Sequence, residues 1–430
     1  MSNPEGEKHN KELEHILKTD LEGLSGLDLE EVILKVKRLT EQESHDYRVF
    51  FFLGQARLKG HQPDKALRNF QKALKLNGDN FEIMLYQGIA YLELHEEEKA
   101  KESFEQVIKL CPNNPQAYCY LGQIYTNTHQ FSIAIEYFKM ALNFRPNCPN
   151  ILMEIAKVYH ASHNLGEAIE TYQAALKIND KNPDAWFHLG KIYHELHAET
   201  QAINAFEKAI EADKTYYPAY LQLGISSYSK RELEDASRHI QNVLDLDASI
   251  SEANYYMGLI SAESESHEKA IEFYSLAIES NSLNEEAYLN MAKSFLKIDE
   301  NELAKKCLTK AFKLNESNFD VMYNLAFTHF LSAEYEKAIK LFDQALKLKP
   351  DNRDSYYYKG LALNRIGSHS EALKCFQLIL SLDLNDHYAM YQQALVHIHI
   401  GEKEIGVKIL KKARDAGNQD AEEVLRQLQI

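Results

Sequence analysis

An all-α solenoid of about eleven helix-turn-helix units is predicted from three features of the sequence. The first is an unbroken 34-residue period that places a small residue at Gly54, Gly88, Gly122, Ala156, Gly190, Gly224, Gly258, Ala292, Ala326, Gly360 and Ala394. The second is a matching series twelve residues on, from Ala66 and Ala100 through Ala338 and Ala372, with Gly406 its one departure from alanine. The third is a large side chain four residues further: Phe70, Phe104, Phe138, Tyr172, Phe206, Tyr274, Phe342 and Phe376, with Ile240, Leu308 and Leu410 as substitutes. Such a period marks units too small to bury their own apolar face, each stable only against its neighbours. Small residues let two helix axes approach to the lower end of the roughly 8–10 Å range, and a large side chain opposite fills the groove so created.

Residues 1–46 do not follow the period. Leu13, Ile16 and Leu17, then Leu29, Val32, Ile33, Val36 and Leu39, form apolar stripes at helical spacing and predict a divergent helical cap. Twelve acidic against six basic side chains there suit an end exposed to water. Units then begin at Tyr47 and every 34 residues to His387, closing at 420. In the third unit Tyr118, Leu121, Gly122 and Tyr125 make the stripe of a first helix, and Ala134, Phe138 and Ala141 that of a second. The stretch Asn127 to Gln130 lacks periodicity and reads as the turn. Pro115, Pro149 and Pro183 open helices, where a missing N–H costs nothing, and Pro112, Pro146 and Pro350 stop them. Residues 421–430, with Val424, Leu425 and Leu428 on one face, predict a closing helix. The last three residues also outline a short carboxyl-terminal ligand motif, but helix packing accounts for them.

The aromatic or apolar residue, Leu-Gly, Tyr, Ala, aromatic and Ala series resembles the tetratricopeptide repeat family over residues 47–420. It is fullest in the fifth unit at Trp186, Leu189, Gly190, Tyr193, Ala202, Phe206 and Ala209. The resemblance implies a right-handed superhelix of antiparallel helix pairs whose first helices line a concave groove. Arg57, Ser227, Ser261, His329, Leu363 and His397 depart from the family at the first-helix tyrosine. The chaperone-adaptor members grip a carboxylate with Lys at position 5 of a unit and with Lys and Arg at positions 2 and 6 two units on. No unit here has Lys at position 5, and although Asn290 and Asn324 occupy position 6, Asp354 and Tyr358 stand where the cations belong. That clamp is therefore not expected.

Charge and motifs narrow function further. With 48 basic and 64 acidic side chains the net charge is −16, which disfavours nucleic acid and anionic membrane surfaces as partners. No apolar run approaches the roughly 18 residues needed to span a bilayer. The polar start lacks a secretion signal, and Ser2 stands where myristoylation requires glycine. Cys111, Cys119, Cys148, Cys307 and Cys375 show no metal spacing; Cys307 and Cys375 share one repeat position and read as small hydrophobes. A reducing, cytoplasmic setting is expected. No phosphate loop, nucleophile elbow or metalloprotease motif occurs, so the expectation is no catalytic residue, no cofactor and no metal. His160 and His194 share a first-helix position in adjacent units with His188 nearby, but no acidic or Cys companion is evident from the spacing, and stacked units hold them too far apart for one ion. His397 and His399 point about 200° apart on a helix and do not chelate.

The candidate site is the stripe at positions 5, 9 and 12 of each first helix, about 100° from the small-residue contact. It is mixed in units three to five and mostly apolar from the seventh on. The candidate partner-binding residues are Tyr255, Tyr323, Phe327, Phe330, Tyr357, Leu361 and Tyr391, with Asp320 and Asp354 as electrostatic guides from the acidic row Glu252, Glu286, Asp320, Asp354. Acids at helix starts also complement the helix dipole. These features predict a non-enzymatic protein-interaction scaffold, its partner a protein or peptide with basic and apolar residues. Two alternatives stand beside it: a structural subunit of a larger or self-associated assembly, and an accessory or targeting subunit for an enzyme on another chain.

Overall fold

The computed structural model describes residues 14–17, 21, 23–24, 26–40 and 46–428. Leu13, the Leu39 side chain and the last two residues, all part of the expectations above, lie outside the described residues. The chain divides into two compact units, residues 1–214 and 215–430. Among the described residues both are built from helices alone, in the two-helix units that the period predicts.

Every repeat opens its first helix on the first residue of the period, from Tyr47–Lys59 to His387–His399, and its second helix sixteen residues later, from Pro63–Leu76 to Lys403–Asp415. Most first-helix starts are set by side-chain caps, whereas the second helices begin without one. Asn80 Oδ1 accepts from the Glu82 and Ile83 amides at 3.0 and 3.1 Å, and Asn114, Asn182, Asn284, Asn318, Asn352 and Asp386 accept likewise at the first helices of their repeats. These bonds satisfy N–H groups that a helix cannot pair internally. The first helix ends on one left-handed residue at position 15: His61, His95, His129, His163 and His197 at φ 52 to 58, then Arg231, Glu265, Asp299 and Ala333, then Gly367 and Gly401. The amide after it bonds back five residues, as Gln130 N does to Tyr125 O at 2.8 Å, which closes the helix. In the third repeat Asn127 still belongs to the helix Pro115–Asn127, so the turn is three residues rather than four.

Inside each pair the small residue meets the large one. A Cβ on Gly122 would stand 2.8 Å from the Phe138 ring, and one on Gly190 2.6 Å from Phe206. Phe104, Phe138 and Phe376 are fully buried as a result. Gly406 completes the pattern from the other side, its missing Cβ leaving room for Ala394 O and the Ile398 side chain.

In the first unit the helix Gly26–Thr40 packs through Val36 on Val49, Phe52 and Leu53, with Ile16 and Leu17 at the edge. The apolar clusters that follow each join one helix pair to the next first helix, as Phe104 and Val107 join Ala117, Leu121 and Ile124. In the second unit the same rule runs from Leu221, Ile240 and Met257 to the last pair, where Ala421 and Leu425 of the helix Gln419–Gln427 cover Ala394 and Leu410. Each core is therefore a row of small clusters, and stability passes from neighbour to neighbour.

Candidate functional site

The candidate stripe lies in the second unit, on the first helices Ser251–Glu263, Glu285–Lys297, Phe319–Leu331, Arg353–Arg365 and His387–His399. Each helix of this row touches the next directly, so their positions 5, 9 and 12 share one surface.

Tyr323, Phe327 and Phe330 come together there, and Tyr358 of the following repeat joins them. The Phe327 and Tyr358 rings stand 4.8 Å apart at 63°, Phe330 and Tyr358 5.6 Å, and Tyr323 lies nearly parallel to Phe327 at 6.5 Å. Fully buried Phe342 forms the floor, 6.1 Å from Tyr323 and 6.5 Å from Tyr358, while the four rings above it are half-buried. Tyr358 went unrecognised in the sequence because position 6 reads there only as a site for cations; the aromatic run Tyr356, Tyr357, Tyr358 was the available signal.

The remaining candidates are spread along the row. Tyr357 packs on Phe376 at 6.2 Å beneath the Arg353 guanidinium, which sits 4.8 Å from its ring. Leu361 borders the buried cluster of Leu363, Cys375 and Phe376, and Tyr391 borders that of Ala394 and Leu410. Tyr255 makes polar contacts instead. Its hydroxyl donates to Glu286 Oε2 at 3.1 Å and accepts from Asn290 Nδ2 at 3.1 Å, tying two successive first helices. Burial, with Glu286 beside it, pushes the Tyr255 hydroxyl above the usual phenol range, and burial with Asp354 nearby does the same for Tyr323. Both remain neutral phenols through the physiological range.

The acidic row is not uniform. Asp320 and Glu252 are exposed. Asp354 Oδ1 accepts from Arg353 Nη1 at 2.9 Å, and Arg353 also donates to Asp386 through Nε at 2.8 Å and Nη2 at 3.2 Å. Further along the surface a cavity of about 310 Å³ opens between the first helices of repeats seven and eight, lined by Leu259, Ala262, Glu263, Asn290, Lys293 and Lys297 among others. This stretch of the surface thus carries cations as well as acids.

The histidines of the first unit have ordinary partners. His188 stacks on Tyr172 at 5.9 Å, and burial, with Lys157 and Lys191 adding to it, lowers its pKa to about 4. His160 Nε2 lies 2.9 Å from Glu195 Oε2, an acidic companion that the spacing did not reveal. No group of three or more His, Cys, Asp or Glu among the described residues is arranged to hold a metal. His397 and His399 diverge, the first to Glu402 at 2.6 Å and the second to the His369 ring at 4.9 Å. Cys375 is buried and Cys307 half-buried, and burial raises both thiols, that of Cys375 to about 11. No helix among the described residues is long and apolar enough to cross a membrane.

Helix pairs in one register, joined by small-residue contacts and leaving a first-helix surface uncovered, define a helical-repeat protein of the interaction-scaffold class. Family comparison agrees: "TPR repeat" matches residues 156–196, and "Tetratricopeptide repeat" descriptions match 53–115, 103–136, 183–216, 221–285, 285–318 and 319–352. The chain belongs to the tetratricopeptide repeat family.

Similar solved structures include YrrB, described as a TPR protein with an unusual peptide-binding site, at 22% identity, TM-score 0.42, covering 44% of this chain and 98% of that one. The Cut9–Hcn1 hetero-tetramer of the APC/C aligns at 14% identity and TM-score 0.42 over 93% of both chains. The C-terminal part of a TPR repeat-containing protein from Cytophaga hutchinsonii aligns at 18% identity and TM-score 0.45, covering 55% of this chain and 96% of that one. No curated relative matches the sequence.

Proposed function

We propose that this protein is a non-enzymatic scaffold whose second unit holds an extended segment of a protein partner along the first helices of repeats seven to eleven. The observation that carries the reading is the row Tyr323, Phe327, Phe330, Tyr358, Tyr357 and Leu361, half-buried side chains over a floor closed by Phe342 under the first four and by Phe376 under the last two. Rings of this kind supply contact area at low entropic cost, and a continuous row suits apolar side chains at intervals along an extended chain. Asp320 and Glu252, both exposed, favour a segment carrying Lys or Arg and raise its association rate. Asp354, already engaged by Arg353, contributes less to this attraction.

The test compares the wild type with the Tyr323→Ala, Phe327→Ala, Tyr357→Ala triple variant against a panel of extended peptides with alternating apolar and basic residues. Binding is read by fluorescence polarisation after helicity has been matched by circular dichroism. The reading predicts at least a tenfold loss of affinity in the variant and a binding rate that falls with salt. Equal binding by both proteins would reject it.

A further inference from the structure

A pair of neighbouring thiols lies in the first unit, within the third repeat. Cys119 is at position 5 of the helix Pro115–Asn127, and Cys148 is the cap residue before the helix Pro149–Ala161. Both are partly buried against the same cluster of Tyr118, Phe138 and Ile155, and both are free. Repeat symmetry shows that side chains at these two positions face each other. One repeat later the equivalent residues are Met153 and Asn182, and Asn182 Nδ2 lies 3.1 Å from Met153 Sδ. Tyr357 with Asp386, and Tyr391 with Asp420, occupy the same two positions further along, and each carboxylate acts on its tyrosine.

Position 148 is otherwise a capping position. Asn114 and Asn182, one repeat to either side, accept from the Ala117 and Ala185 amides, whereas Cys148 makes no side-chain cap bond. The preceding residue, Asn147, has φ 59, a left-handed value that the equivalent positions of the other repeats do not take. This junction thus gives up a cap and adopts its own turn in the one repeat where position 5 is also cysteine.

We propose that Cys119 and Cys148 are a redox site that closes into a disulfide, joining the first helix of repeat three to the start of repeat four when a low-molecular-weight disulfide is the oxidant. The thiolate of Cys148 attacks one sulfur of the external disulfide and expels the other as a thiolate. Cys119 then attacks Cys148 in the mixed disulfide and expels the remaining half. Two protein thiols are oxidised to one disulfide, the external disulfide is reduced to two thiols, and the protein's two thiol protons pass to them. Burial, with the neighbouring Cys148 adding to it, pushes the Cys119 thiol up to about 11, so the second step is the slow one and quickens as pH rises.

The experiment treats the native full chain with oxidised glutathione and follows intact mass, free-thiol count and a peptide map. The expected result is the loss of two hydrogens and two thiols, with the Cys119 peptide linked to that of Cys148 and reversal by dithiothreitol. Cys119→Ser and Cys148→Ser each abolish the link, and Cys375→Ser leaves it intact. A stable glutathione adduct without an internal link, or a link through Cys111, would overturn the proposal. Because the wild-type map decides it directly, the result does not hang on the folding of any variant.

Discussion

Replacing Gly258 by Ala tests the contact on which each helix pair is built. The new methyl would stand 2.5 Å from Cδ1 and Cε1 of Tyr274 and 3.0 Å from its Cζ, against a ring only 1% exposed. Carbon atoms prefer about 3.5–4.0 Å, so the ring or the helix must give by about 1 Å. Overpacking of this size costs about 1–3 kcal/mol, while the exchange of Gly for Ala in a helix returns about 1 kcal/mol. The single variant should therefore lie between neutral and about 2 kcal/mol less stable. Repeats four and nine hold alanine beside a large ring, Ala156 with Tyr172 and Ala326 with Phe342, whereas repeats eight and eleven pair it with leucine, Ala292 with Leu308 and Ala394 with Leu410, and the latter supply a compensating change. Tyr274→Leu alone should cost about 2–3 kcal/mol through lost packing, and the double variant should recover about 1–2 kcal/mol relative to the sum. A repeat array need not unfold in two states, so the assay is hydrogen exchange resolved to the helix Ser251–Glu263. The recovery then appears as a roughly 5–30-fold slowing relative to the additive expectation. Strict additivity, or a Gly258→Ala variant that gains the whole helix-propensity term, would refute the argument that this glycine is a packing contact.

Three further outcomes follow from particular side chains. His188 is held neutral with a pKa of about 4 against 6.5 for an unperturbed imidazole, so between those values the unfolded chain binds more protons and stability falls as pH falls. Discounted for partial exposure the loss is about 1–2 kcal/mol, measured as the urea resistance of repeats four and five against pH, and His188→Gln should flatten the slope. Cys148→Asn should restore the missing cap and stabilise the helix Pro149–Ala161 by about 1 kcal/mol, seen as slower exchange in its first turn. Arg353→Ala strips Asp386, whose side chain is only 9% exposed, of its cation and should cost about 1–3 kcal/mol at the junction of repeats ten and eleven, read as faster exchange in the helix His387–His399. The same change frees Asp354, so on the proposed reading basic peptides should associate faster at low salt.

How much of this was legible in the sequence depends on whether the physics acts within one repeat or between repeats. Gly190 and Phe206 belong to one hairpin at a fixed separation, so their pairing appears as a period and needs no coordinates. The helix starts were readable for the same reason, because a proline acts at its own position and a capping asparagine on amides two or three residues away. The polar ties from Tyr255 to Glu286 and Asn290, and from Arg353 to Asp386, join residues 31 to 35 apart, and their partners change from junction to junction. Charge counting alone therefore treats Asp354 as free to steer a partner, whereas the Arg353 beside it is a neighbour whose direction only the packed helix decides. The left-handed position 15 was hidden by composition: histidine fills it in five repeats, so the usual glycine signal appears only at Gly367 and Gly401. The candidate groove falls on the same divide. Its aromatic members are periodic and were visible, but Tyr358 enters the cluster because two successive first helices touch, a contact that within-helix spacing does not encode. A repeat protein can therefore keep its scaffold fixed by a few intrarepeat contacts while it varies the side chains between repeats, and those variable contacts are where specificity for a partner has room to arise.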